Sequence, residues 1–518
     1  MNGAESLVRT LLDERVDVCF TNPGTSEMHF VAALDRVPGM RCVLGLFEGV
    51  VTGAADGYWR IARRPASTLL HLGPGLANGL ANLHNAKKAR SGVLNVVGEH
   101  AIPHVALDAP LTSDIEGIAR PMSHWVRTIG SAGGVEATTR DAVQAATTPP
   151  GRIATLVLPA DCAWTELPAD AAPGARIARL SPAAIDTAMV EAAAALLRSG
   201  EPTAIVLGAD ACHEAGLEMA GRIAAATGCA LLTEFGVARV ARGAGRVLAT
   251  RIPYVVDAAK ATLAPYRSLL LVGAAEPVSF FAYPDKRGRQ AAPGTRIVEV
   301  ADASQDLLGT LAALADAVGA RSLAPAGIAR HERTAPPEGA MSIEGIGRVV
   351  AALMPEQAIV VDESVSSGRG FGAPTANAAP HDWLTGTGGA IGFGLPTAIG
   401  AAIAAPDRKV LALEGDGSAM YTVQSLWTMA REGLDITVLV FANRAYRILQ
   451  GEYAGVGAGT PGPRATDMLS LDRPTIDWVG LARSMGVEAG RATDLGELAR
   501  ELSRGFASRG PYLVEAVL

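Results

Sequence analysis

Gly415-Asp416-Gly417-Ser418 stands at the end of the apolar run Lys409-Val410-Leu411-Ala412-Leu413. Asn443 follows Asp416 by 27 residues, just after a second apolar run, Ile436-Thr437-Val438-Leu439-Val440-Phe441. Between the runs, Ala419 to Glu432 reads as one helix closed by Gly433. Strand, glycine turn, helix and strand form a right-handed crossover between parallel strands. The spacing therefore predicts that Asp416 and Asn443 emerge together at the carboxyl edge of one sheet, where open α/β sheets bind ligands. A carboxylate and an amide oxygen there suit Mg²⁺, which takes oxygen ligands and leaves positions for phosphate oxygens. The amides of Gly417 and Ser418, at a helix start, are placed to meet those phosphates. A bare Gly-Asp-Gly is also ordinary turn chemistry. Its spacing and flanking strands give it weight.

A second signal lies near the amino terminus, where Phe47-Glu48-Gly49 follows the apolar run Val43-Leu44-Gly45-Leu46. A glutamate ending a buried strand is costly unless something pairs with it. The plainer reading is a helix-start acid favoured by the dipole, since Gly49 to Arg63 reads as helical.

Composition narrows the field. A chain of 518 residues, 49% hydrophobic and 19% charged, has ample core for a compact soluble protein of several domains. A net charge of −7 without a basic block argues against nucleic acid as a partner. Cysteines 19, 42, 162, 212 and 229 show no CxxC or Cys/His spacing and read as core thiols in a reducing compartment. Met1 to Glu5 carries neither a basic nor an apolar leader pattern, and no stretch reaches the roughly 18 apolar residues of a membrane span. The expectation is a cytoplasmic protein with no membrane partner.

Proline- and alanine-rich stretches at 163–182 and about 322–339 divide the chain into three blocks. Their expected limits are 1–165, 183–320 and 340–518. Strands such as 155–159, 203–208, 268–273 and 512–517 alternate with helical stretches, which predicts an α/β protein of three doubly wound parallel sheets.

The Gly-Asp-Gly and its distant Asn resemble the thiamine diphosphate signature. The whole chain resembles the acetolactate synthase and benzoylformate decarboxylase group, in the order pyrimidine, middle and diphosphate domain. Asn22-Pro23-Gly24-Thr25, Glu48, His71-Leu72-Gly73-Pro74-Gly75 and Asn78-Gly79 match the pyrimidine-domain motifs. Gly392-Phe393-Gly394-Leu395-Pro396 and Gly415 to Ser418 match those of the diphosphate domain, and Tyr421 with Leu426-Trp427-Thr428 resembles the decarboxylase branch.

The resemblance implies thiamine diphosphate and Mg²⁺ as cofactors, and a 2-oxo acid substrate that ends as an aldehyde or is joined to a second carbonyl as an acyloin. By the same resemblance Asp416, Asn443 and the carbonyl of Ala445 would hold the metal, and Ser366, Gly417 and Ser418 the diphosphate. Ile391 would wedge between the cofactor's rings, and the Gly389 carbonyl would accept from its exocyclic amine. Asn22, Pro23, Gly24 and Tyr446 also fall among the cofactor contacts. Glu48 would hydrogen-bond the aminopyrimidine and set up proton removal. His71 would relay protons, and its ordinary pKa suits that work. Thr25 would offer a substrate hydroxyl, although turn chemistry after Pro-Gly explains it equally.

Departures limit the reading. Val365 replaces a hydroxyl beside the diphosphate, and Leu111 and His124 fall where synthases carry a glutamine and a lysine. The synthase tryptophan after the signature Asn is missing, and Ser279-Phe280-Phe281-Ala282-Tyr283 lacks the decarboxylase's second histidine. The middle block lacks the Met-His-Gly and Arg-Phe-Asp stretches that accompany FAD, so FAD is not expected. Alternatives are a benzoylformate decarboxylase-like lyase and a non-catalytic paralogue of a synthase. A nicotinamide dehydrogenase fails, because Gly386-Thr387-Gly388-Gly389 does not complete GxGxxG. The family resemblance further implies a homodimer or homotetramer whose sites are shared between subunits.

Overall fold

A computed structural model describes residues 1–167, 174–332 and 334–518. Three sheets organise the chain. The first has six strands, in the spatial order Arg41–Leu44, Val18–Asn22, Ala66–Leu70, Val93–Glu99, Ile153–Pro159, Trp125–Thr128. The second has five: Thr250–Arg251, Ala230–Thr233, Thr203–Leu207, Ser268–Val272, Arg296–Ala301. The third has seven: Glu488–Ala492, Tyr512–Val517, Ile436–Ala442, Val410–Gly415, Ala358–Glu363, His381–Thr385, Val240–Arg242. The central strands are buried along their whole length, which is why they read as continuous apolar runs rather than alternating ones.

One strand departs from the all-parallel expectation. Val240–Arg242, from the stretch between the two proline-rich segments, pairs antiparallel with His381–Thr385 and closes the edge of the last sheet.

Other differences are local. The single helix expected over 419–432 is two pieces, Asp416–Ala419 and Ser425–Glu432. The intervening turn lets the Thr422 hydroxyl donate to the Gly392 carbonyl at 3.0 Å. The first helix of the middle block begins at Thr187, where the Asp186 side chain caps it by accepting from Ala188 and Met189 at 3.0 and 3.1 Å. The first proline-rich connection starts later than expected, since Ala160–Trp164 is a helical turn. Its centre, with Pro168 and Pro173, lies outside the described residues.

The first and last sheets meet through two helices, Glu48–Ala62 and Gly394–Ala404. Their axes come so close that a β-carbon on Gly400 would run into the Ala54 carbonyl. One apolar cluster accordingly spans both units, from Val50 and Ala54 to Ile399 and Val438.

Candidate active site

In the last sheet four neighbouring strands deliver their following loops to one edge. His381–Thr385 leads to Gly389 and Ile391, Ala358–Glu363 to Ser366, Val410–Gly415 to Asp416–Ser418, and Ile436–Ala442 to Asn443 and Ala445. Register sets Gly415 opposite Phe441, so Asp416 and Asn443 leave the sheet side by side. The loops interlock: Arg444 N donates to Asp416 Oδ2 at 2.6 Å, and Ala445 N donates to Asn443 Oδ1 at 3.0 Å. The Gly417 amide is turned toward Asp416 Oδ1 at 2.9 Å. A β-carbon on Gly417 would sit 2.5 Å from the Tyr446 ring, so Tyr446 covers this turn and only glycine fits beneath it.

Asp416 is 3% exposed, and among the described residues it has no ion-pair partner. Burial pushes its carboxyl above the ordinary aspartate range. A buried acid with no side-chain cation either keeps its proton or takes an ion supplied from outside. The available donors, a carboxylate, an amide oxygen and a backbone carbonyl, are all hard oxygens. Among the described residues no cluster of three His, Cys, Asp or Glu side chains could hold a metal unaided. This donor set fits Mg²⁺, whose remaining positions would fall to oxygens of a bound ligand or water.

Beneath this turn lies an acid pair that the sequence reading missed. Glu363 Oε1 and Oε2 accept from Gly392 N and Gly394 N, each at 2.6 Å. Burial pushes Glu363 up to about 7. Burial and the neighbouring Glu363 charge push Glu414 well above the glutamate range. Glu414 therefore holds a proton more readily than an ordinary glutamate, beside the Glu363 carboxyl that ties down the Ile391 loop.

The first sheet repeats the arrangement. Val18–Asn22, Arg41–Leu44 and Ala66–Leu70 are adjacent, and they lead to Asn22-Pro23-Gly24-Thr25, to Glu48 and to His71. Glu48 opens its helix, is 8% exposed, and accepts from Asn78 Nδ2 at 3.0 Å. Thr25 is exposed and starts a single 3₁₀ turn. Glu27 is a second missed residue. Buried to 1% exposure, it accepts from Gly24 N at 2.7 Å and lies 2.7 Å from His71 Nδ1. It thus joins the Thr25 loop to the imidazole. A carboxylate acceptor fixes the Nδ1–H tautomer, leaving Nε2 with a free lone pair. Burial raises the Glu27 carboxyl.

Three of the ten non-glycine residues with positive φ among the described residues lie at the same edges. Leu72, Val365 and Arg444 adopt left-handed φ of 50°, 49° and 58°. Each adjoins a candidate residue: His71, Ser366 or Asn443. A β-branched residue such as Val365 rarely tolerates this region, and such strain persists where surrounding structure imposes it.

The two edges are stitched together within the chain by the helix Leu72–Lys88. Asn82 Nδ2 donates to Gly49 O at 2.8 Å and to Gly392 O at 3.2 Å. Asn85 exchanges two hydrogen bonds with the Ala390 backbone, and His84 Nε2 lies 3.0 Å from Gly388 O. The loop bearing Gly389 and Ile391 is therefore positioned by the first unit. Phe280 packs on Gly389 and joins Phe281, Tyr254 and Phe235 in an aromatic cluster with centroid separations of 5.0 to 6.5 Å.

Comparison with known proteins agrees with this plan. Residues 1–118 match the thiamine pyrophosphate enzyme N-terminal TPP binding domain, and residues 370–516 match the C-terminal TPP binding domain. The chain is 50% identical over 521 residues to the "Putative acetolactate synthase large subunit IlvX" of Mycobacterium tuberculosis, covering 100% of this chain and 99% of that protein. It is 30% identical over 532 residues to benzoylformate decarboxylase of Pseudomonas aeruginosa, covering 96% and 95%. Its fold is that of the Rhodococcus jostii RHA1 thiamine diphosphate-dependent 4-hydroxybenzoylformate decarboxylase, with a TM-score of 0.86 at 23% identity over 99% and 98% of the two chains. With two loop-bearing sheet edges held together by one helix, and these relatives along its whole length, the chain belongs to the thiamine pyrophosphate enzymes, in the acetolactate synthase and benzoylformate decarboxylase group.

Proposed function

We propose that this enzyme decarboxylates a 2-oxo acid with an apolar, aryl-sized acyl group, using thiamine diphosphate and Mg²⁺ and no flavin. The observation that carries the substrate reading is the aromatic cluster Phe280, Phe281, Tyr254 and Phe235 standing against Gly389. Aromatic side chains of this kind recognise a flat apolar group by edge and offset contacts. Two relatives named for benzoylformate and 4-hydroxybenzoylformate support the same class.

Bound thiamine diphosphate supplies the nucleophile for the oxo carbon and the electron sink for the pair left when CO₂ departs. The rest is the chain's own work. Asp416, Asn443 and the Ala445 carbonyl would hold Mg²⁺, and Ser366, Gly417 and Ser418 the diphosphate. Gly389, Ile391 and Tyr446 would fix the rings in place. Glu48, its carboxyl oriented by Asn78, would be the group that meets the aminopyrimidine edge and holds its proton. His71, aligned by Glu27, uses Nε2 to move a proton at the product carbon, which directs the reaction to an aldehyde. Thr25 and the Asn22-Pro23-Gly24 turn line the substrate side.

The reading includes a dimer with shared sites. Leu46, Val365, Phe281, Tyr421 and Leu449, all around the two edges, are 37% to 53% exposed, an apolar rim of the kind a second subunit covers. It also includes a reducing, cytoplasmic setting, supported by five free cysteines and by the absence of a membrane-spanning helix among the described residues.

The deciding assay supplies cofactor, Mg²⁺ and either benzoylformate or pyruvate, and measures CO₂, aldehyde and acetolactate separately. Faster turnover of benzoylformate, with aldehyde as product, is expected. Acetolactate from pyruvate as the main product would overturn the substrate reading.

A further inference from the structure

Cys19 and Cys42 are neighbours across two parallel strands. The register of Val18–Asn22 against Arg41–Leu44 sets Cys19 opposite Cys42. Adjacent strands lie about 4.8 Å apart, inside the roughly 4.4–6.8 Å between α-carbons that a disulfide spans. Residues in register also project to the same face of a sheet. Both side chains pack in one apolar cluster, Cys19 fully buried and Cys42 only partly buried. Arg41–Leu44 is the outermost strand of the first sheet, so Cys42 is the thiol that small solutes reach. The neighbouring Cys42 and burial raise the Cys19 thiol, whereas Cys19 lowers Cys42, so Cys42 is the readier thiolate, while the Cys19 thiol donates to the Phe20 carbonyl at 3.7 Å. Cys162, Cys212 and Cys229 are buried on other elements.

We propose that Cys19 and Cys42 are a reactive dithiol that closes to an intramolecular disulfide when the protein meets a hydroperoxide. The Cys42 thiolate attacks a peroxide oxygen, the O–O bond breaks, and a sulfenic acid forms as hydroxide leaves. The Cys19 sulfur then attacks the Cys42 sulfur, the S–O bond breaks, and the departing hydroxide takes the Cys19 proton as water. With hydrogen peroxide the sum is two thiols oxidised to one disulfide and one peroxide reduced to two waters. The bridge joins the strand that runs into the Thr25 turn to the strand that runs toward Glu48, and so couples redox state to the seat of both loops.

The test uses the full chain, exposed to hydrogen peroxide, denatured, alkylated and digested with trypsin. Cleavage after Arg15, Arg36, Arg41 and Arg60 places the two cysteines on separate peptides, 16–36 and 42–60. The expected result is a cross-linked pair lighter by two hydrogens than the separate peptides, removed by dithiothreitol and absent in Cys42→Ser. In Cys19→Ser, Cys42 should be trapped by dimedone as the sulfenic acid. Both peptides remaining fully alkylated after peroxide, Cys42 passing to the sulfinic acid with Cys19 intact, or bridges to other cysteines would overturn the proposal. The wild-type mapping depends on no variant's folding. It needs neither substrate nor cofactor, so its outcome is independent of the catalytic reading.

Discussion

The first and last sheets use the same geometry for different chemistry. Both send site residues out from adjacent parallel strands at a carboxyl edge. In the first, acids face side chains, Glu48 meeting Asn78 and Glu27 meeting His71, with the Gly24 amide as a further donor to Glu27. In the last, acids face backbone amides: Asp416 meets Gly417 and Arg444, and Glu363 meets Gly392 and Gly394. The His71 imidazole can exchange a proton with its partner, whereas the Asn78 carboxamide and the backbone amides can only hold. On the proposed function, one edge would move protons and the other would fix an anion and its metal.

Substitutions can break that contrast. Glu48→Gln keeps the shape but removes the exchangeable proton, and kcat should fall by about 10²–10⁴-fold with thermal stability unchanged. Asp416→Ala should instead weaken Mg²⁺ by at least about 100-fold in a titration of cofactor binding. If the sites are shared, mixing these two inactive proteins and allowing subunit exchange should restore part of the activity. Glu27→Gln frees the imidazole, with an expected loss of about tenfold in kcat and a displaced pH–rate profile. A loss without displacement would reduce Glu27 to packing.

The smallest effect is a slope. Glu363 is raised from 4.5 to about 7 by burial. Its folded form binds the proton more tightly than its unfolded form does. That contribution to stability is complete below the ordinary glutamate value and is lost as pH rises through about 7. Urea midpoints of the protein without cofactor should therefore fall over that window, and Glu363→Gln should flatten the fall.

Sequence legibility followed the same division. Asp416 and Asn443 belong to one strand–turn–helix–strand unit, so local spacing was enough to bring them together. Glu48 announced itself as an acid closing an apolar run. The Glu27–His71 pair joins loops 44 residues apart, and the grip of Asn82 on Gly392 spans 310. No periodicity reports such partners. The break between Ala419 and Ser425 was equally hidden, since no glycine or proline marks it and the Thr422 contact it permits is with Gly392, 30 residues away. Phe235 and Tyr254 carry no motif or spacing that singles them out, and only the tertiary fold gathers them with Phe280.

The short antiparallel strand Val240–Arg242 has a practical consequence. Arg242 stacks 4.8 Å above the Trp383 ring, and Arg246 donates to the His381 carbonyl, so this ribbon is fastened to the sheet it borders. A fragment cut at residue 340 would carry the whole candidate metal turn yet leave the backbone of His381–Thr385 bare along one side. Such unpaired edges recruit other chains. Excised pieces of this enzyme should therefore clump unless residues 240–242 travel with them, and a modular dissection has to follow the hydrogen-bonded ladder rather than the order of the chain.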